Sequence, residues 1–146
     1  MEVLIQIDGI TELLNKLDGR KLLGKALKNF FNKATLKIER QAKINATGRP
    51  GPNVQTDRLR SSITSRIDAY EIPTWGLVGT NVYYAPFVEF GHSQKPGRYV
   101  PAIGKRLVAD RVPAYPYLMP AYDQSKDAIN DLISEAEHEI ESEFTS

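Results

Sequence analysis

Residues 20–46 read RKLLGKALKNFFNKATLKIERQAKINA, and this stretch decides the fold. Leu23, Leu27, Phe30, Ala34, Ile38 and Ala42 recur at three- and four-residue steps, which places them along one face of a helix. No proline interrupts them, and only Gly24 is a weak spot. The spacing predicts one amphipathic helix about 40 Å long.

Upstream, Val3, Ile5 and Ile7 alternate with Glu2, Gln6 and Asp8 despite Leu4, which predicts an opening strand ended by Gly9. Thr11 is placed to cap a short helix carrying Leu13, Leu14 and Leu17, with Asp18-Gly19 as punctuation. Downstream, the Gly and Pro residues of Thr47–Asn53 predict a loop, and Thr56–Ser61 a single helical turn. Ile63–Ile72 then reads as a strand, broken by Pro73, and Thr74–Thr80 as its partner. Together they predict an antiparallel hairpin.

At the far end, Ile129, Leu132, Ile133, Ala136, Ile140 and Phe144 form a second helical stripe, starting near Met119 or Pro120. A proline there suits a first helical turn. Between the hairpin and this helix, Ser93–Ala114 carries Lys95, Arg98, Lys105, Arg106 and Arg111 among prolines and glycines. It reads as a long loop, with a short strand near Arg106-Leu107-Val108, and such loops are commonly functional or mobile. The expected fold is α+β: long N-terminal and C-terminal helices packed on a small antiparallel sheet, with a long extended loop at about 92–114, in one domain spanning 1–146.

Composition narrows the function. Of the 146 residues, 41% are hydrophobic and 25% charged, values of an ordinary globular chain. No apolar run approaches the roughly 20 residues a bilayer span needs, and the N-terminus lacks the basic and cleavage regions of a signal peptide. No membrane partner is expected, and maturation in a cytoplasm is. With no cysteine there is no disulfide, no thiolate nucleophile and no Cys-based zinc site.

Net charge is +1, but the two signs are separated along the chain. Arg20–Arg49 holds nine bases against Glu39 alone, and Asp123–Ser146 eight acids against Lys126 alone. Such runs form solvated helix faces of opposite sign, or they draw together opposite ends of the molecule or adjacent copies.

Chemistry is sparse. His92 lies three residues after Glu89, which makes a proton-transfer pair conceivable, but no nucleophile elbow or third partner accompanies it. His138 and Glu141 share a helix face without matching ligands elsewhere. No glycine-rich loop has the strand before it and the Lys-Ser/Thr after it that phosphate binding needs. No enzyme activity and no cofactor are expected. Nucleic-acid binding is the fairer rival, since the bases could neutralise phosphates and Tyr83, Tyr84, Phe87 and Phe90 could stack on bases.

Two aromatic and proline segments remain: Tyr83-Tyr84-Ala85-Pro86-Phe87-Val88-Glu89-Phe90-Gly91-His92 and Pro116-Tyr117-Leu118-Met119-Pro120-Ala121. Preceded by Thr56-Asp57-Arg58-Leu59-Arg60-Ser61-Ser62-Ile63, they resemble, in order and spacing, the tail-component family of long-tailed bacteriophages and prophages, over roughly residues 10 to 140. Asp57 stands where that family usually has glycine, and the loop is longer than in its compact members.

The resemblance implies a structural virion protein of the head–tail junction, a neck or tail-completion subunit. It would assemble as a ring, six-membered by family analogy, with other connector and tail proteins as partners and DNA as a passing contact. Its location would be the virion, and the host cytoplasm during assembly. Tyr83, Tyr84, Pro86, Phe87, Phe90, Tyr99, Tyr115, Tyr117 and Leu118 are the candidates for forming or supporting a subunit contact. Lys95, Arg98, Lys105, Arg106 and Arg111 are the candidate docking loop. Glu89, an acid between Val88 and Phe90, must face water or pair, and a backbone amide or an arginine is the expected partner.

Overall fold

A computed structural model describes residues 1–9, 20–47, 58–102 and 104–145. The short helix expected from Thr11, the Asp18-Gly19 break, the loop over 48–53 and Thr56-Asp57 lie outside them.

The long basic stretch is helix α1, Arg20–Asn45. Its spacing does what was expected: Leu23, Leu27, Phe30, Phe31, Ala34, Ile38 and Ala42 are all buried. A three-stranded antiparallel sheet lies along one side of α1. It is built from β1 (Glu2–Gln6), β2 (Thr64–Ile67) and β3 (Trp75–Gly79) in the order β1-β3-β2. Val3 pairs with Val78, and Ser65 with the same Val78 from the other side, so β3 is the central strand. Val3 and Val78 point into the core, while Leu4 is left on the outer face.

The C-terminal stretch is helix α4, Leu118–Thr145. Its main partner is α1, and it touches the sheet chiefly at β1. Lys33 Nζ pairs with Glu135 Oε1 at 2.5 Å, and Asn45 Nδ2 donates to Gln124 Oε1 at 2.9 Å. The two long helices therefore run antiparallel, the basic one beside the acidic one. The opposite charges separated along the sequence meet within one chain.

One detail of the hairpin differs from expectation. The strand read through Ile72 ends at Ile67, because Asp68 takes over the backbone: its carboxylate accepts from the N–H of Tyr70 and from the N–H and Oγ1 of Thr74. The connection thus organised presses on α1. A Cβ at Gly24 would lie 2.4 Å from the Glu71 carbonyl oxygen, so the apparent weak spot in the helix is the place where a loop touches its backbone. Glu39 fastens α1 to the sheet as well, accepting from Lys43 Nζ at 2.6 Å and from Ser65 Oγ at 2.5 Å. The one expected helical turn is α2, Arg58–Ser62, which buries Leu59.

Candidate interaction surface

The first aromatic segment folds as a short helix, α3, Ala85–Phe90, with Pro86 in its opening turn. Six residues give it little stability of its own. It is held from both faces. Ala85 is buried against the core, and the carbonyl of Val88 accepts the N–H of Tyr115 at 2.8 Å.

Glu89 supplies the third tie, and it is 2% exposed. Its Oε2 accepts from the backbone N–H of Tyr117 at 2.8 Å and of Leu118 at 3.0 Å, and its Oε1 from Met119 at 2.9 Å. These are the amides left without partners at the start of a helix, and the next residue is Pro120, which has none to offer. One carboxylate therefore satisfies the whole N-terminus of α4, where the helix dipole also favours a negative charge. The tether ends as a backbone-amide cap, and no arginine takes part in it. Because both Glu89 oxygens are occupied by α4, the proton-transfer pair with His92 does not form; His92 instead packs edge-on against Phe87, ring centroids 5.4 Å apart.

Around this junction the candidate residues separate into two sets. Tyr83 (78% exposed), Phe90 (62%) and Phe87 (50%) are open to solvent, joined by Pro86, Tyr115 and Met119. Tyr84 is half-buried, edge to face with Tyr83 at 5.4 Å. Tyr117 and Leu118 are fully buried. They and Glu89 cannot form a contact surface directly and are left with the other role expected of them, supporting one from beneath, because the helix start turns this segment into the core. Burial pushes the Tyr117 phenol well above its usual range, with the charge of Glu89 and the proximity of Tyr84 adding to it. Its hydroxyl has no hydrogen-bond partner among the described residues.

The segment expected as a long extended loop is a β-hairpin arm. At its base β4 (His92–Ser93) pairs with β7 (Arg111–Val112), and toward its tip β5 (Tyr99–Val100) pairs with β6 (Lys105–Arg106). The bonds Gln94 N to Asp110 O and Leu107 N to Arg98 O continue the pairing between the two ladders. Below, His92 faces Val112; above, Tyr99 faces Arg106, so the register slips by one residue between them. The extra residue forms a bulge in Lys95-Pro96-Gly97, with Gly97 at φ +82.

The strand foreseen near Arg106-Leu107-Val108 is β6, which begins one residue earlier and holds only Arg106 of the three. Lys95, Arg98, Tyr99, Lys105, Arg106 and Arg111 are all exposed on the arm, and Arg106 is partly engaged within it, donating to Gly97 O at 2.7 Å and lying over the Tyr99 ring.

The arm leaves the body at Gly91, whose role the sequence did not reveal. Its φ is +72, and a Cβ there would sit 2.7 Å from Val112 O and 2.9 Å from Ala114 N. Asn45 was also missed: its Nδ2 donates to Tyr117 O at 3.1 Å and so fixes the end of α1 to the capped start of α4. Neither an aromatic pattern nor a charge run signals such residues.

On the outer sheet face Arg66 lies over the Trp75 ring and, with Glu2, Thr64, Leu77 and Asn81 among others, lines an open groove of about 460 Å³. Among the described residues no three His, Cys, Asp or Glu side chains converge as metal ligands, and no helix is long and apolar enough to cross a membrane. Comparison with protein-family models, with curated proteins and with solved structures finds no match.

Proposed function

We propose that the chain is a non-enzymatic structural subunit of the head–tail junction of a long-tailed bacteriophage, a neck or tail-completion protein that assembles into a ring of six. One observation carries this reading. The two segments on which the family resemblance rests are joined through Glu89, and their junction presents Tyr83, Phe87 and Phe90 to solvent beside a projecting basic arm. Apolar patches of this kind on a chain's surface mark protein contacts. A ring subunit needs two different patches that meet head to tail, and rigid aromatics supply contact area at small entropic cost.

The test is assembly. The mass of the chain in solution, alone and with portal and tail proteins, followed by electron microscopy of the complexes, should give closed rings at the junction. A phage whose subunit lacks residues 92–113, the chain closed by a short glycine link, should make heads and tails that do not join. Normal infectious particles from that mutant, or no association with any junction protein, would refute the reading.

A second reading draws on the exposed bases Lys25, Lys28, Lys37 and Arg40 along α1, which with the arm could track a phosphate backbone. It requires binding to generic duplex DNA that weakens steeply with salt. The acidic α4 beside α1 opposes it, and absence of binding at low salt would eliminate it.

A further inference from the structure

The hairpin arm is ordered by short ladders, and its described residues bury almost nothing of their own. Val108 is 91% exposed, Tyr99 is half-exposed, and Lys95, Arg98, Lys105 and Arg111 have no ion-pair partner among the described residues. An isolated two-stranded hairpin is marginal in water, so a surface that covers it would complete its stability. The arm carries five bases against one acid, Asp110.

The outward side of α4 is its complement. That helix carries eight acids against one base, and some of the acids are used internally, among them Glu135 by Lys33 and Asp123 by Lys126 at 2.9 Å. Asp127, Asp131, Glu137 and Glu141 are exposed and unpaired among the described residues. They extend over about 21 Å of helix at 1.5 Å per residue. From its base to its tip the arm reaches about 30 Å at 3.3 Å per residue, enough to lie along that row.

We propose that the occupant of this α4 face is the arm of a second copy of the chain, and that this contact propagates the ring. The inference rests on the ring reading above and names the surfaces that carry it. Every copy holds one basic arm and one acidic α4 face, so the contact is heterologous and can close on itself. Opposed potentials of this kind set register and orientation between subunits. Exposed Val108 and Tyr99 among the arm cations favour a protein surface over a phosphate backbone, which offers nothing apolar to cover them.

The absence of cysteine makes the test clean. A chain carrying Lys105→Cys and Asp131→Cys, oxidised under conditions in which the unmodified chain assembles, should give a ladder of disulfide-linked multimers. Neither single variant should give more than a dimer. Independently, arm reversal (Arg98→Glu with Lys105→Glu) and α4 reversal (Asp131→Lys with Glu137→Lys) should each raise the concentration needed for assembly at least tenfold. A chain bearing both reversals should recover most of it, because the complementarity is restored with the signs exchanged.

If the unmodified chain assembles but the reversals leave assembly unchanged, the contact is wrong while the ring reading stands. If it assembles under no condition, alone or with portal and tail proteins, both fall. Loss of duplex-DNA binding on arm reversal, with assembly intact, would overturn the contact in favour of the nucleic-acid reading.

Discussion

Glu89 and Leu118 lie 29 residues apart in the chain, and the Oε2 of the first accepts the backbone N–H of the second at 3.0 Å. The acid belongs to a helix too short to stand alone, and the amide opens a helix of 28 residues. Each element supplies what the other lacks: α3 is anchored, and α4 gains a capped start.

Removing that carboxylate strands several buried amides together. Glu89→Ala is expected to cost about 3–5 kcal/mol, the range found when a buried charged partner is lost. Glu89→Gln, which keeps one acceptor oxygen but turns an N–H₂ toward the amides, should cost about 1–3 kcal/mol. Urea unfolding of the three proteins measures both, and a neutral Glu89→Gln would show that the cap contributes little.

The Tyr117 hydroxyl is buried without a partner among the described residues, so its removal should be tolerated. Tyr117→Phe is expected within about 1 kcal/mol of the parent at neutral pH, on the stabilising side. At alkaline pH the two should diverge. With the phenol's pKa raised in the fold, the unfolded chain gives up the proton first, near its ordinary value of 10.0, and the parent loses stability as pH rises above it. Phenylalanine has no proton to lose, so unfolding free energies measured from pH about 8 to about 11 should fall more steeply for the parent.

Gly91 has neither a permitted φ nor room for any other residue. Gly91→Ala should cost about 1–3 kcal/mol from backbone strain alone, and the added methyl would press on Val112 O and Ala114 N at the arm's base. Hydrogen exchange should show faster exchange of the Gln94 amide, which donates to Asp110 O at the arm's base, with α1 protection little changed. Uniform loss of protection across α1 would mean that the arm and the body unfold as one unit.

Acid should loosen the junction between α1 and the sheet. Burial acts to raise the Glu39 pKa, but the hydrogen bonds from Lys43 and Ser65 outweigh it and hold the carboxyl below the usual range. Since the folded value is the lower one, the contribution is present at neutral pH and is lost as pH falls from about 4.3, the ordinary glutamate value, through the folded one. The stability difference between the parent and Glu39→Gln should therefore shrink between about pH 7 and pH 3; a constant difference would remove Glu39 from the acid response.

Much of the architecture was legible because it rests on period. Leu23 to Ala42 could face only one way on a helix, and Ile129, Leu132, Ala136 and Ile140 likewise, although Ile133 of the same expected stripe is exposed. The two long helices and the strand pair were therefore readable from spacing. What resisted reading depended on single polar contacts across the chain. Asp68 ends β2 by bonding Tyr70 and Thr74, while local composition carried the strand on to Ile72. The arm was hidden because its ladders are two residues each and its bulge and turn hold Pro96, Gly97, Pro101 and Gly104, residues that locally signal loop.

In the candidate site, the need of Glu89 for a partner was visible from its apolar neighbours. The identity of that partner was set by where α4 begins, and burial of Tyr117 and Leu118 followed from the same fact. Aromatics beside prolines look alike whether they face a neighbouring subunit or the core.

The two ends of the arm meet: at Gly91 the chain departs, and the amide of Ala114 returns within van der Waals reach of it. The carboxylate of Glu89 and the carbonyl of Val88 close the body of the protein immediately below that point. The arm is thus an interchangeable cassette, whose length, tip and charge can be rewritten without re-engineering the helices beneath. Extending a loop whose ends are already pinned adds little entropy to folding, about 0.6 kcal/mol for each doubling. One body could accordingly be fitted to different neighbours by exchanging about twenty residues, and a hybrid bearing a foreign arm should fold as this one does.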